Sequence, residues 1–190
     1  MRVSITGGAG FVGSNLAMRI KRDRPESEVI VLDNLHRPGS ELNLPRLRGA
    51  GIVFIEGDVR NTADISKMGD VDVLLDCAAE PSVLAGQAAG NDFDARYAID
   101  TNLLGTVNCL EHLRGCGGRM IFLSSSRVYA MAALRDIPLN EVGTRLIPDE
   151  TGAGLGWSRA GISEEFSVTG PRSLYGASKL AAEMMIEEYA

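Results

Sequence analysis

Short apolar runs recur along the chain and alternate with stretches in which the apolar residues are spaced as in a helix. The runs lie at residues 2–6, 28–33, 52–56, 71–76 and 119–123. Runs that are apolar throughout and rich in β-branched residues are typical of parallel strands covered on both faces. The pattern therefore predicts five strands of one parallel sheet.

The segments between these runs place apolar residues three and four positions apart, as helices do. The clearest helical patterns lie at residues 14–22, 93–115 and 173–190, and the last has a predicted packed face of Leu180, Ala181, Met184 and Tyr189. Repeated β-α-β units predict an α/β fold with a doubly wound parallel sheet, a Rossmann fold. In such sheets the ligand lies over the C-terminal ends of the strands.

Residues 131–172 interrupt this rhythm with three prolines, several glycines and the only tryptophan, Trp157. A long aperiodic stretch in a compact domain is usually a functional loop or a disordered one. We expect a lid or a substrate-facing insertion, because the stretch carries apolar residues to bury, namely Leu139, Leu146, Ile147, Trp157 and Phe166. The predicted organisation is one domain over residues 1–190 with an insertion at about 131–172.

The composition narrows the classes of partner. The 190 residues carry a net charge of −6, which does not favour nucleic acid or an anionic membrane. No apolar run approaches the ~18 residues of a membrane span, and no leader pattern opens the chain. Cys77, Cys109 and Cys116 lack metal or disulfide spacing. We expect a cytoplasmic protein with reduced thiols and no metal site.

A glycine motif follows the first predicted strand. Gly7, Gly10 and Gly13 form G-x-x-G-x-x-G between that strand and a helix, and Asp33 follows twenty positions after Gly13. Such glycines permit a sharp turn, a close approach to a pyrophosphate and tight helix packing, and the helix N-terminus attracts phosphate. This context predicts a dinucleotide site rather than a plain turn.

Two acids at strand ends extend the predicted site. Asp33 can accept hydrogen bonds from a ribose 2′-hydroxyl and would repel a 2′-phosphate, which favours NAD over NADP, although Arg37 lies nearby. Asp58 can reach the adenine amino group, or it can cap the helix predicted from about residue 62.

Tyr175 and Lys179 lie four positions apart, so on a helix they share one face. A free phenol is a poor base at neutral pH, but a nearby ammonium and the positive nicotinamide ring favour its ionised form. Tyr175 could then take a proton from a sugar hydroxyl while hydride leaves for NAD. A serine hydroxyl after the fifth strand would hold the same oxygen.

Six segments in order resemble a known family. They are T-G-G-A-G-F-V-G-S at 6–14, D-N-L at 33–35, G-D-V-R-N at 57–61, N-L-L-G-T at 102–106, S-S-S-R-V-Y at 124–129 and Y-G-A-S-K at 175–179. Together they resemble the extended short-chain dehydrogenase/reductases, which include the NAD-dependent nucleotide-sugar epimerases and dehydratases. The resemblance covers nearly the whole chain.

The resemblance implies a role for each matching residue. Ser125, with Ser126 as the fallback, Tyr175 and Lys179 would be catalytic. The implied NAD contacts are Gly7, Gly10, Phe11, Val12, Gly13, Asp33, Asn34, Asp58, Val59, Ala78, Ala79, Glu80, Thr101 or Asn102, Ser124, Tyr175 and Lys179. The implied substrate is a nucleotide-sugar such as a CDP- or UDP-hexose.

Residues 33–44 and the long insertion are similar to the CDP-paratose 2-epimerase branch of that family. That branch implies transient oxidation of a sugar hydroxyl at C2 and hydride return to the opposite face. Ala130 departs from the family, which usually has glycine there. The alternatives are a nucleotide-sugar 4-epimerase, a 4,6-dehydratase, or a non-catalytic NAD sensor on the same fold. Ser126-Arg127 counts against a dehydratase, which usually carries an acidic pair at this place.

Family members continue past the Y-x-x-x-K helix into further strands and a smaller C-terminal domain that grips the nucleotide-sugar. We therefore expect that the substrate domain is absent from this chain and that the 190 residues alone have little epimerase activity. Members of the family often dimerise through helices that match those predicted near residues 93 and 173, so a homodimer is expected.

Overall fold

A five-stranded parallel sheet forms the centre of the molecule. The computed structural model describes residues 1–84, 94–149 and 154–190. The strands, in the spatial order β3-β2-β1-β4-β5, are β1 (Arg2–Thr6), β2 (Glu28–Asp33), β3 (Val53–Glu56), β4 (Val73–Asp76) and β5 (Arg119–Phe122). All five predicted strands are present, three of them one or two residues shorter than predicted. The order reverses between β1 and β4, which confirms the doubly wound Rossmann sheet.

Helices connect the strands and cover both faces of the sheet. They are α1 (Phe11–Asp23), α2 (Leu44–Gly49), α3 (Thr62–Ser66), α4 (Ala95–Ile99), α5 (Gly105–Cys116), α6 (Met131–Arg135) and α7 (Leu174–Tyr189). A π-helical turn, Asp100–Leu104, joins α4 to α5, and 3₁₀ turns lie at Ser40–Asn43 and Ser126–Val128. Residue 93, where the longest helix was predicted to begin, lies outside the described residues.

The core consists of two apolar clusters, one on each face of the sheet. Ala17 of α1 and Leu47 of α2 pack with Val31. Ile65 of α3 packs on the other side with Leu32. Val31 and Leu32 are consecutive in β2 and so point to opposite faces of the sheet. The polar residue Asp33 follows them at the C-terminal end of the strand.

Within residues 131–149 and 154–172 lie α6 and two small hairpins. The hairpins pair β6 (Leu139–Val142) with β7 (Arg145–Pro148), and β8 (Trp157–Ser158) with β9 (Gly161–Ile162). The expected burial is right for Phe166, which is 6% exposed and meets the Tyr129 ring edge-on at 5.6 Å. It is wrong for Leu139 and for Leu146, which is 62% exposed, because β6 and β7 form a two-stranded sheet of their own.

Helix α7 buries a different face from the one predicted. Its buried residues are Gly176, Ser178, Lys179 and Ala182, whereas Met184 and Tyr189 are exposed. The N-terminal half of α7 approaches the 3₁₀ turn so closely that a Cβ at Gly176 would lie 2.1 Å from the Arg127 carbonyl oxygen. Within the described ranges, the helices are too short or too polar to cross a bilayer.

Candidate functional site

A cavity of about 510 Å³ opens at the C-terminal ends of the strands. Its walls come from the turn after β1, the ends of β2 and β4, the segment after β5, the π-helical turn and the first turns of α7. This is the position at which a doubly wound sheet binds its ligand, and the volume is in the range of small-molecule sites.

The glycine turn shapes one wall of the cavity. Gly7 adopts a φ of +60°, and a Cβ there would lie 2.7 Å from the Cys77 carbonyl oxygen. A Cβ at Gly13 would lie 2.4 Å from the Gly7 carbonyl oxygen, so α1 packs directly on the turn. Helix α1 begins at Phe11 with no side-chain cap and no acid in its first turn. Its N-terminal N–H groups and dipole therefore suit a phosphate.

Asp33 holds this turn as well as lining the cavity. One carboxylate oxygen accepts a hydrogen bond from the Ala9 N–H at 3.0 Å, and the other accepts from the Leu35 N–H at 2.8 Å. Leu35 has a positive φ of 54°, so the second bond stabilises a backbone conformation that leucine rarely adopts. Carboxylate oxygens have further lone pairs, so Asp33 can still accept from ribose hydroxyls.

A polar cluster lies beside Asp33. The Asn34 side-chain amide donates to Asp58 at 2.9 Å, and Arg60 contacts Asp58 through two nitrogens at 2.9 and 2.7 Å. The Arg60 guanidinium lies 4.5 Å from the centre of the Tyr97 ring, and His36 packs against the same ring at 4.6 Å. Tyr97 and His36 both line the cavity.

Asp58 is strongly tied within this cluster. Hydrogen bonding from the Arg60 side chain, opposed by burial, lowers the pKa of Asp58 to about 2. The alternative that Asp58 caps the third helix is wrong, since Asn61 accepts the hydrogen bond from the Ala63 N–H at the start of α3.

The π-helical turn separates the two neighbouring candidates Thr101 and Asn102. Asn102 is buried and its side-chain amide is used in structural hydrogen bonds. It accepts from the Glu80 N–H at 2.7 Å, donates to the Glu80 carbonyl oxygen at 3.0 Å and donates to Ser178 Oγ at 3.1 Å. Thr101 lines the cavity, is 7% exposed, and its Oγ1 has no hydrogen-bond partner among the described residues. An unpartnered buried hydroxyl facing a cavity is suited to a polar ligand.

Tyr175 and Lys179 reach the cavity from the first turns of α7. Lys179 is buried, and its ammonium lies 3.9 Å from the centre of the Phe122 ring. Burial lowers the pKa of Lys179, while the charges of Asp76, Cys77 and Glu183 act in the opposite direction.

The three consecutive serines after β5 also differ in whether they line the cavity. Ser124 lines the cavity. Ser125 Oγ accepts a hydrogen bond from the Arg127 N–H at 3.1 Å and caps the 3₁₀ turn, and Ser126 is exposed.

Residues 3–190 match the model of the NAD-dependent epimerase/dehydratase family. The chain belongs to this family. Two relatives are CDP-paratose 2-epimerase from Salmonella typhi, 32% identical over the whole chain and 53% of its own length, and dTDP-glucose 4,6-dehydratase from Mycobacterium tuberculosis, 28% identical over the whole chain and 49% of its own length. The structure of UDP-glucose 4-epimerase from Thermus thermophilus in complex with NAD superposes with a TM-score of 0.67, at 29% identity, over the whole chain and 50% of that protein.

Membership of the epimerase/dehydratase family confirms the resemblance, the fold and the cofactor prediction, NAD. The cavity fits that cofactor, because it joins an uncapped helix N-terminus, the strand-end acid Asp33 and the buried hydroxyl of Thr101. The chain spans about half the length of the curated relatives it matches.

Most of the predicted site residues line this one cavity. They are Gly7, Gly10, Phe11, Val12, Gly13, Asp33, Asn34, Val59, Ala78, Ala79, Glu80, Thr101, Ser124, Tyr175 and Lys179. Three predicted residues, Asp58, Asn102 and Ser125, are not among its lining residues. Sequence reasoning missed Tyr97 and His36, whose only signal was an aromatic residue in a helix and a histidine three positions after Asp33.

Proposed function

We propose that this chain carries the NAD-binding and catalytic residues of a nucleotide-sugar epimerase, similar to CDP-paratose 2-epimerase. One observation carries the proposal: Tyr175 and Lys179, one helical turn apart on α7, line the same cavity as the glycine turn of Gly7 to Gly13. A phenol and an ammonium beside a dinucleotide site are the groups that removal of a hydroxyl proton requires.

Each residue has a proposed task. The glycine turn and the α1 N-terminus hold the pyrophosphate, and Asp33 accepts from the adenosine ribose. Tyr175 takes the proton of a sugar hydroxyl, Lys179 favours the ionised phenol, and Ser125 or the neighbouring Ser124 donates to the sugar oxygen. When bound, NAD would supply reversible hydride transfer at the sugar carbon.

The 2-epimerase assignment is supported by residues 33–44, by the long insertion, and by the Salmonella typhi relative at 32% identity. A nucleotide-sugar 4-epimerase or a 4,6-dehydratase is the second candidate, favoured by the Mycobacterium tuberculosis relative. The exposed Ser126-Arg127 pair stands where a dehydratase usually has acids, which favours an epimerase. The homodimer, the cytoplasmic location and the absence of a metal remain predictions.

The test compares Tyr175→Phe with the unchanged sequence, in the longest available polypeptide that contains these 190 residues. CDP-, UDP- and dTDP-hexoses are offered and the products are identified by NMR, while NAD affinity is measured by calorimetry. We expect the variant to lose at least about 100-fold in turnover and to keep its NAD affinity within about threefold. A wild-type product inverted only at C4 would exclude a 2-epimerase, and a variant with full activity would exclude the catalytic role of Tyr175.

A further inference from the structure

A buried carboxylate lies behind the cavity, at the end of β4. Asp76 is 2% exposed and accepts hydrogen bonds from Thr6 Oγ1 at 2.6 Å and from Thr106 Oγ1 at 2.7 Å. Both donors are neutral, and the ion pairs found among the described residues do not include Asp76. A buried carboxylate needs a compensating positive charge in addition to its hydrogen bonds.

Among the described residues, the buried cation on this side of the sheet is Lys179, which is 1% exposed. Its ammonium lies over the Phe122 ring. Phe122 of β5 is the register partner of Asp76 in β4. The Lys179 ammonium, carried by α7, therefore lies over the residue that is paired with Asp76 across the β4–β5 ladder, which brings the two buried charges within electrostatic reach of each other.

A path of buried polar contacts also leads from Asp76 to the helix that carries Lys179. Thr106 Oγ1, which donates to Asp76, lies 3.1 Å from the Asn102 carbonyl oxygen. Asn102 in turn donates to Ser178 Oγ, the residue directly before Lys179. The path from β4 to α7 thus consists of buried polar groups whose positions are mutually fixed.

We propose that Asp76 is a positioning residue, the buried counter-charge that keeps Lys179 protonated beside the cavity. The chemical importance of Asp76 rests on the proposed function, in which Lys179 assists Tyr175. The proximity of the two charges is independent of that function. Burial favours a neutral lysine, and a fixed carboxylate opposes this tendency. Without it, Lys179 would lose its charge at a lower pH and would cease to favour an ionised phenol.

Three ionisable groups bear on the charge of Lys179. Asp76 and Cys77 lie at the end of β4, and Glu183 lies on α7 itself, where Tyr175 precedes Lys179 by one turn. Burial raises the pKa of the Cys77 thiol to about 12, so that thiol is neutral at physiological pH. Glu183 is half-buried, one turn after Lys179. Asp76 is therefore the fully buried negative charge of this set.

The test is an NMR titration of the lysine side chains in the NAD-free protein with ¹³C-labelled lysine. The Lys179 signal is assigned by its loss in Lys179→Met. We expect Asp76→Asn to lower the titration midpoint of Lys179 by about one pH unit or more, because an opposing charge has been removed. Asp72→Asn is the matched control. It removes an exposed acid just before the other end of β4, where Asp72 accepts from the Arg2 N–H, and should leave the midpoint unchanged.

An unchanged Lys179 midpoint in Asp76→Asn would overturn the proposal and leave Asp76 a purely structural residue. If Asp76→Asn does not fold, the double variant Asp76→Asn/Lys179→Met decides. Paired charges predict that removing the cation as well relieves the buried, unpaired lysine, so the double variant should fold where the single variant does not. A double variant that also fails to fold contradicts the pairing. A failure of the proposed function would be seen in other measurements, namely absent NAD binding in calorimetry or full turnover by Tyr175→Phe.

Discussion

At the scale of single residues, the two-point contact between Arg60 and Asp58 determines the charge beside the end of the cavity that Asp33 and Asn34 line. Asp58 also accepts from Asn34, and Arg60 covers the Tyr97 ring, so these side chains hold one another in place. The pKa of Asp58, lowered to about 2, means that the pair stays ionised through the physiological range. We therefore interpret Asp58 as a residue behind the cavity wall that holds Asn34, which lines the cavity, and Arg60 in place.

Arg60→Gln should raise the pKa of Asp58 from about 2 toward the usual value of 3.8, because the largest contribution to the shift is the Arg60 hydrogen bond. The measurement is a ¹³C NMR titration of the carboxyl carbon. A lowered carboxyl pKa stabilises the fold above about pH 4, and this contribution is lost as the pH falls toward 2. The variant should therefore lose less stability on acidification. Arg19→Gln, whose partner Asp23 lies on α1, should leave Asp58 unchanged.

The role of Asp33 shows what a residue pattern can and cannot reveal. Its spacing from the glycine motif was enough to place it on the cavity. Its second task, accepting from the Ala9 and Leu35 N–H groups, depends on the path of the loop after β2, for which no sequence rule was available. The same holds for Thr101, since the choice between it and Asn102 depends on the π-helical turn.

At the scale of elements, the junction of β1 and α1 depends on the absence of a side chain at Gly13. Gly13→Ala should destabilise the fold by about 1–3 kcal/mol, because the added Cβ would lie 2.4 Å from the Gly7 carbonyl oxygen and the turn would have to move. NAD affinity should fall at least tenfold with it. Urea denaturation and calorimetry provide the two measurements.

Gly115→Ala is the matched control for this prediction. A Cβ at Gly115, in α5, would meet no atom within 4 Å, so alanine should raise the stability by about 0.5–1 kcal/mol through its helix propensity. Equal effects of the two substitutions would contradict the importance of the glycine turn.

The π-helical turn is fixed by Asn102, whose amide bonds both the backbone N–H and the carbonyl of Glu80 and also Ser178. Asn102→Ala should destabilise the fold by about 2–3 kcal/mol, because buried polar groups lose their partners. Urea denaturation measures the loss. Asn140→Ala, at an exposed position of β6, should cost less than about 0.5 kcal/mol. A small effect at Asn102 would mean that another group satisfies the Glu80 backbone.

The regular elements could be predicted because each strand is an apolar run and the connecting helices α1, α5 and α7 are long enough to show periodicity. The hairpins of residues 131–172 could not, since strands of two to four residues do not establish a period. The buried face of α7 was also missed. It is formed by Gly176, Ser178 and Lys179, small or charged residues that a hydrophobic pattern assigns to solvent.

At the scale of the whole molecule, the β6–β7 hairpin exposes apolar side chains to solvent, whereas the apolar side chains of β1 and β2 in the central sheet are buried. Leu139, Val142 and Leu146 are exposed. The chain also spans only about half the length of the relatives it matches. The glycine turn of Gly7 to Gly13 and the Tyr175–Lys179 pair, by contrast, line one cavity within the described residues. Cofactor binding and substrate turnover should therefore depend on different extents of polypeptide.

We predict that the 190 residues by themselves bind NAD but turn over nucleotide-sugars at least about 100-fold more slowly than a longer polypeptide that extends to the full length of the curated relatives. The reason is that binding energy from the nucleotide part of the substrate holds the sugar against the catalytic groups, and a polypeptide that supplies less of this binding energy loses turnover as well as affinity. Calorimetry with NAD and an NMR assay with CDP-, UDP- and dTDP-hexoses test both parts. The longer polypeptide with Tyr175→Phe is the control for background chemistry. Equal turnover by the two lengths would show that the 190 residues already contain a complete substrate site.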